Sequence, residues 1–152
     1  MTPIGPGNPH RLTALARRAA ILASALACLI LAAPAAQAED PPIATVSGMG
    51  GKVRVDILSL KRTEGETVTL RLALTNSGDQ TFSMTLGNAR LLDLPGRRIY
   101  SPGLTSSNCS VAVSKQTDCY AVFGAPPANL KTMTIKFYEQ FELVTGVPIS
   151  GP

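Results

Sequence analysis

Histidine occurs once in the sequence, at position 10, tryptophan never, and cysteine three times. Each scarcity excludes a class of chemistry. Beyond His10 the chain lacks the usual general base, the commonest metal ligand and the side chain that titrates near neutral pH. A Ser–His–Asp hydrolase would lack its middle member, and Ser–Lys chemistry would need a pocket that the sequence does not identify. Long apolar runs are also missing after residue 38, and so is any helical period.

The one long apolar run lies at the start. Arg11, Arg17 and Arg18 precede a charge-free stretch from Ala19 to Ala33, which Pro34 ends before the small-residue pattern Ala36-Gln37-Ala38. This order of basic end, apolar run and small residues is that of a secretory signal peptide, 1–38, with cleavage between Ala38 and Glu39. Three other readings fit the leader less well. A retained anchor would use Ala19 to Ala38 as a span, but the run is rich in alanine and is broken by Pro34. Arg17-Arg18 alone is a weak twin-arginine motif. Cys28 lacks the large aliphatic residue three places earlier that a lipoprotein signal carries, and the apolar run continues past it.

Removal of the leader changes the charge. Three of the 14 basic residues leave with it, so 11 remain against 10 acidic ones, a net charge of +1. A balance so near neutral implies neither a nucleic-acid partner nor an acidic membrane surface. With no apolar run left, no membrane insertion is expected after cleavage, and the protein is expected in the periplasm or secreted. Two cysteines remain, Cys109 and Cys119, and in an oxidising compartment they should pair. In the chain-entropy view, closing so short a loop stabilises by about 3 kcal/mol. Redox pairs are usually spaced by two residues, and zinc needs four ligands, so a structural disulfide is the expectation, and no metal or cofactor is expected.

The rest reads as strands and turns. After a lead-in, 39–51, with a first edge strand at Ile43 to Val46, Val53, Val55 and Ile57 alternate with polar residues until the phase slips at Leu58 and Leu60. Such a slip signals a bulge or a strand changing sheets. Arg62 to Glu66 reads as a turn, and Val68, Leu70, Leu72 and Leu74 form one face of the cleanest strand. Asn76-Ser77-Gly78-Asp79 predicts a hairpin into a strand bearing Phe82, Met84 and Leu86. Ala89 to Leu94 and Arg98 to Tyr100 form two strands about Pro95-Gly96, and Ser101 to Asn108 reads as a loop. Val111 and Val113 are expected to pair across Ser114 to Asp118 with Cys119 to Phe123, so that the disulfide staples a local hairpin. Met133, Ile135 and Phe137 mark another strand and Tyr138 to Val147 an edge strand, with Pro148 to Pro152 a frayed tail.

Short alternating strands at turn spacings of about 8 to 12 residues argue an antiparallel, all-β sandwich or barrel, and the size of the region favours the sandwich, over 52–149. The run from Val68 to Leu74, the Asn76 to Asp79 turn, the segment from Ala89 to Pro102 and the block from Phe123 to Pro127 resemble bacterial exported immunoglobulin-like domains of unknown function. That resemblance implies an immunoglobulin-like β-sandwich in an envelope compartment; its motifs are strand and turn patterns and imply no catalytic residues. The absent tryptophan and the close spacing of the cysteines set the chain apart from antibody domains.

The expected function is therefore a non-enzymatic, exported envelope module that binds a protein partner or serves a structural role. An enzyme using serine, lysine or carboxylates, and a receptor subunit anchored by a retained leader, are the alternatives. Arg97, Arg98 and Tyr100 are the candidate ligand contacts, for an anionic glycan or peptide group. Glu64 and Glu66 could mimic a catalytic carboxylate pair, but on a turn they read as solvated charge. Asn108-Cys109-Ser110 matches a glycosylation sequon, which a bacterial leader makes irrelevant.

Overall fold

The computed structural model describes residues 41–107 and 109–151. The leader, its cleavage point at Ala38 and Glu39, and Asn108 lie outside the described residues. Eleven strands run in chain order: β1 (Ala44–Gly48), β2 (Val53–Thr63), β3 (Thr67–Asn76), β4 (Phe82–Ser83), β5 (Arg90–Asp93), β6 (Arg98–Tyr100), β7 (Pro102–Thr105), β8 (Ser110–Val111), β9 (Gln116–Gly124), β10 (Thr132–Lys136) and β11 (Val144–Pro148). Among the described residues the only helical segments are two 3-10 turns, so the class is all-β. No helix among them is long and apolar enough to cross a membrane.

One sheet has the order β1-β2-β3-β9-β7 and a second the order β11-β10-β5-β6, while β4 and β8 make a two-stranded ribbon. All strand pairs are antiparallel. The sheets share one apolar core, which makes the fold a β-sandwich. Its centre is β3. Val68, Leu70, Leu72 and Leu74 are fully buried, and each such side chain contributes about 1.5–3 kcal/mol by leaving water. In β2 the phase slip is a bulge: Ile57 pairs with Leu72 and Ser59 with Arg71, leaving Leu58 as the extra residue. The bulge restores Leu60 to the core side, where it is fully buried. The lead-in supplies β1, whose Val46 joins the core, so the sheet begins at Ala44.

Four local expectations are corrected. The hairpin predicted at Asn76 does not form, because both edges of β3 are already taken by β2 and β9. Instead the chain leaves the sheet. The buried Asn76 side chain donates to the carbonyls of Gln80 and Val111 and accepts from Gly78 N–H, which turns the chain toward the ribbon. Met84 and Leu86 are nonetheless buried.

The segment from Ser101 to Asn108 is no mere loop, since it contains β7 on the edge of the five-stranded sheet. Pro102 misleads the eye there. An edge strand tolerates a residue without an N–H, and the β7–β9 register shifts next to it.

The cysteines pair, with Cα atoms 5.7 Å apart, but they do not staple a hairpin. β9 pairs with β3 along its length and with β7 at Ala121 to Phe123, while β8 pairs with β4 and not with β9. Cys109 precedes β8 and Cys119 lies in β9, so the bridge ties the ribbon to the five-stranded sheet. Val113, expected in a strand, is exposed.

The tail is tied down. Ser150 N–H donates to Leu60 O at 2.9 Å and Arg62 N–H donates to Ser150 O at 2.8 Å. Gly48 forms an isolated bridge with Phe141, so chain segments meet across the β1 side of the sandwich.

Candidate binding groove

On the opposite side, β6 and β7 are the outer strands of their sheets and follow each other in the chain, with Ser101 between them. Near β6 opens a groove of about 870 Å³, a volume ordinary for small-ligand sites. Three separated segments line it: the end of β2 with the following turn, β6, and the residues after β9.

The first wall is set by Arg62. Its Nη1 donates to Pro126 O at 2.8 Å, and its Nη2 donates to Pro127 O at 2.8 Å and Leu130 O at 3.2 Å. The guanidinium thus fastens the proline segment to β2 through carbonyls, with no ion-pair partner among the described residues. The turn that follows needs left-handed backbone at Gly65 (φ 80°) and Glu66 (φ 56°). Glu66 O accepts from Ala125 N–H at 2.8 Å, which secures the third wall from the other side. Thr63 and Thr67 share a 2.6 Å hydroxyl contact across the β2–β3 end.

The β6 wall carries two of the three candidate contacts. Arg98 and Tyr100 pair with the buried residues Asp93 and Leu91, so both belong to the face that turns toward the core. Asp93 is engaged elsewhere, accepting from Gly96 N–H at 2.9 Å, and Arg98 has no ion pair among the described residues. Its side chain also borders a second, smaller cavity of about 400 Å³ with Asp93 and Leu130. The Tyr100 hydroxyl is buried and has no hydrogen-bond partner. Arg97 does not line the groove; it sits exposed in the β5–β6 turn with φ 51°.

Sequence reasoning missed Arg62, Thr63, Thr67 and Gly124 to Ala128. Arg62 and Arg98 are distant in the chain: the pairing of β2 with β3 and of β3 with β9 brings the first and third walls together, and β6 joins them from the other sheet. Glu64 and Glu66 are both exposed, and only Glu66 lines the groove, so they are not a facing carboxylate pair. No group of three or more metal-ligating side chains occurs among the described residues. What the groove offers is two guanidinium groups, hydroxyls and a single carboxylate.

The most exposed large apolar side chains of this side are Ile99 (68%), Leu94 and Leu104. Ile99 lies on β6 and Leu104 on β7, with Leu94 in the turn before β6.

No protein-family model matches the chain, and no curated protein does. Among solved structures there is a match to a GH20 exo-β-N-acetylglucosaminidase from Vibrio harveyi, solved in complex with N-acetylglucosamine. It is 18% identical over 65% of this chain, with a TM-score of 0.25. The chain spans 18% of that enzyme, and so slight a likeness carries no argument about fold or activity.

Proposed function

We propose that the chain is an exported, non-enzymatic envelope protein whose immunoglobulin-like sandwich binds a protein partner in the periplasm or outside the cell. The observation that carries this reading is the side formed by β6 and β7. Two successive strands are the outer strands of different sheets there, and each presents a large apolar residue to solvent, Ile99 and Leu104. Such edges accept an added strand through their backbone groups, while exposed apolar side chains give the contact specificity. The disulfide suits an oxidising compartment, and the signal-peptide pattern of residues 1–38 supplies the route to it.

Crosslinking in the intact envelope followed by recovery of the chain tests the reading. A specific partner should be captured, and Ile99→Asp or Leu104→Asp should abolish its capture without lowering the melting temperature, since both side chains are exposed. Failure to capture any specific partner, or capture indifferent to both substitutions, would sink the proposal. Sequencing the N-terminus of the exported protein tests its release: Glu39 as first residue excludes an anchored receptor subunit.

A further inference from the structure

We infer that the groove between the end of β2, β6 and Gly124 to Ala128 binds a carboxylate, with the Arg98 guanidinium as its ion-pair partner and the Tyr100 hydroxyl as a second donor. The inference rests on the binding-module reading and assigns it a ligand chemistry.

Charge is the first ground. Arg62 and Arg98 both line the groove and neither has an ion-pair partner among the described residues, whereas Glu66 is the only acidic side chain lining it. A concave site with an excess of one sign concentrates the field, so its preference is for an anion. Geometry is the second. Arg98 and Tyr100 stand two residues apart on one face of a strand, about 7 Å between their Cα atoms, a span that one carboxylate can bridge between a long guanidinium and a phenol. The third ground is the Tyr100 hydroxyl itself. A buried polar group is nearly always hydrogen-bonded, and this one is unpaired in the protein.

Arg62 and Arg98 divide the work. Three backbone carbonyls already take three of Arg62's five N–H donors and fix its position, so it shapes the wall and contributes charge. Arg98, exposed and without an ion pair, is the residue whose planar fork matches a carboxylate. Carboxylates of this kind end peptides and decorate acidic sugars, so the test separates the two sources.

The full chain, labelled for NMR, would be titrated with acetyl-trialanine as free acid and as amide, and with a galacturonic acid trisaccharide against a neutral trisaccharide. The expected result is saturable shifts at the amides of Tyr100 and Gly124 to Ala128 with the peptide acid or the uronate. The uncharged counterpart should bind at least tenfold more weakly. Arg98→Ala should weaken binding at least tenfold and Arg98→Lys less. Tyr100→Phe should weaken it severalfold while leaving the melting temperature unchanged or raised, because the hydroxyl it removes has no partner to lose. Equal binding of charged and neutral probes, no shift with either acid, or binding unaffected by Arg98→Ala would each overturn the inference. Partner capture that persists with Arg98→Ala but fails with Leu104→Asp, a residue outside the groove, would leave the binding module standing without this site's involvement in it, so the two failures are distinguishable.

Discussion

A β-carbon placed on Gly48 would lie 2.5 Å from the ring of Phe141. The backbone at Gly48 is extended (φ −136°, ψ −177°), so any residue could adopt it, and the constraint is purely one of space. Phe141 is 5% exposed and packs edge-on against Phe82 and Phe137, with ring centroids 6.2 and 6.3 Å away. The ring has nowhere to go. Gly48→Ala should therefore cost about 1–3 kcal/mol, as overpacked cores do. Urea unfolding measures it, and the double variant with Phe141→Leu should lose less than the sum of the two single changes, because the residues touch.

The disulfide joins the ribbon to the five-stranded sheet, so its loss should loosen one part of the molecule before the rest. Cys109→Ala with Cys119→Ala should lower stability by about 3 kcal/mol, the value for constraining an 11-residue loop in the unfolded chain. Hydrogen exchange should quicken first at Val111 and Met84, which lie beside Cys109, while Leu70 and Leu72 stay protected. Uniform loss of protection would show that the bridge acts on the whole sandwich.

Arg62 should matter through carbonyls and not through charge. Arg62→Ala removes three hydrogen bonds to Pro126, Pro127 and Leu130, and with a charged donor involved the loss should be about 2–4 kcal/mol. Arg62→Lys cannot span all three acceptors and should recover only part of it. Faster exchange at the amides of Ala125 and Leu130 is the local readout, and unchanged exchange there would contradict the assignment.

Asn76 is 1% exposed and its side chain serves three backbone groups. Asn76→Ala removes all three of these hydrogen bonds from a buried corner and should cost about 1–3 kcal/mol. Asn76→Asp keeps the acceptor for Gly78 N–H but sets an oxygen against two carbonyls, so thermal unfolding should show it no better than alanine. A variant as stable as the parent would mean that water substitutes readily at this corner.

How much of this was legible in the sequence depended on whether a residue's partner was near. The inward face of β3 was written in alternation alone, because period and phase are local properties of a strand, whereas the slip at Leu58 announced either a bulge or a change of sheet, and the pairing of Ile57 with Leu72 and Ser59 with Arg71 decides for the bulge. The β5–β6 hairpin was legible for the same reason, as Pro95-Gly96 marks its turn. The fate of Asn76-Ser77-Gly78-Asp79 was not, since a turn signal does not say whether the edge it points to is already taken. β7 hid behind Pro102-Gly103, which reads as a breaker and is harmless at an edge. The disulfide's existence followed from counting, yet its span followed from pairings that no spacing encodes. The groove is the least legible part: Arg98 and Tyr100 are neighbours in the sequence, whereas Arg62 reads there as turn charge and only the fold brings three carbonyls onto it.

The hydrogen bonds that fix Ser150 beside Leu60 and Arg62 also decide how the sandwich would respond to tension. β1 starts opposite Ile57 and runs toward Val53, whereas Ser150 runs parallel to Lys61, so the chain approaches β1 and leaves Ser150 at the same pole of β2. Pulled by its two ends, the unit would not be stretched through its core. The Ile43–Ile57 and Ser150–Leu60 contacts would open one after another, as a zip does, before any load reached β3. A load applied at Ile43 and Ser150 would therefore meet a peeling geometry, and Val68 to Leu74 would stay shielded until both contacts had opened.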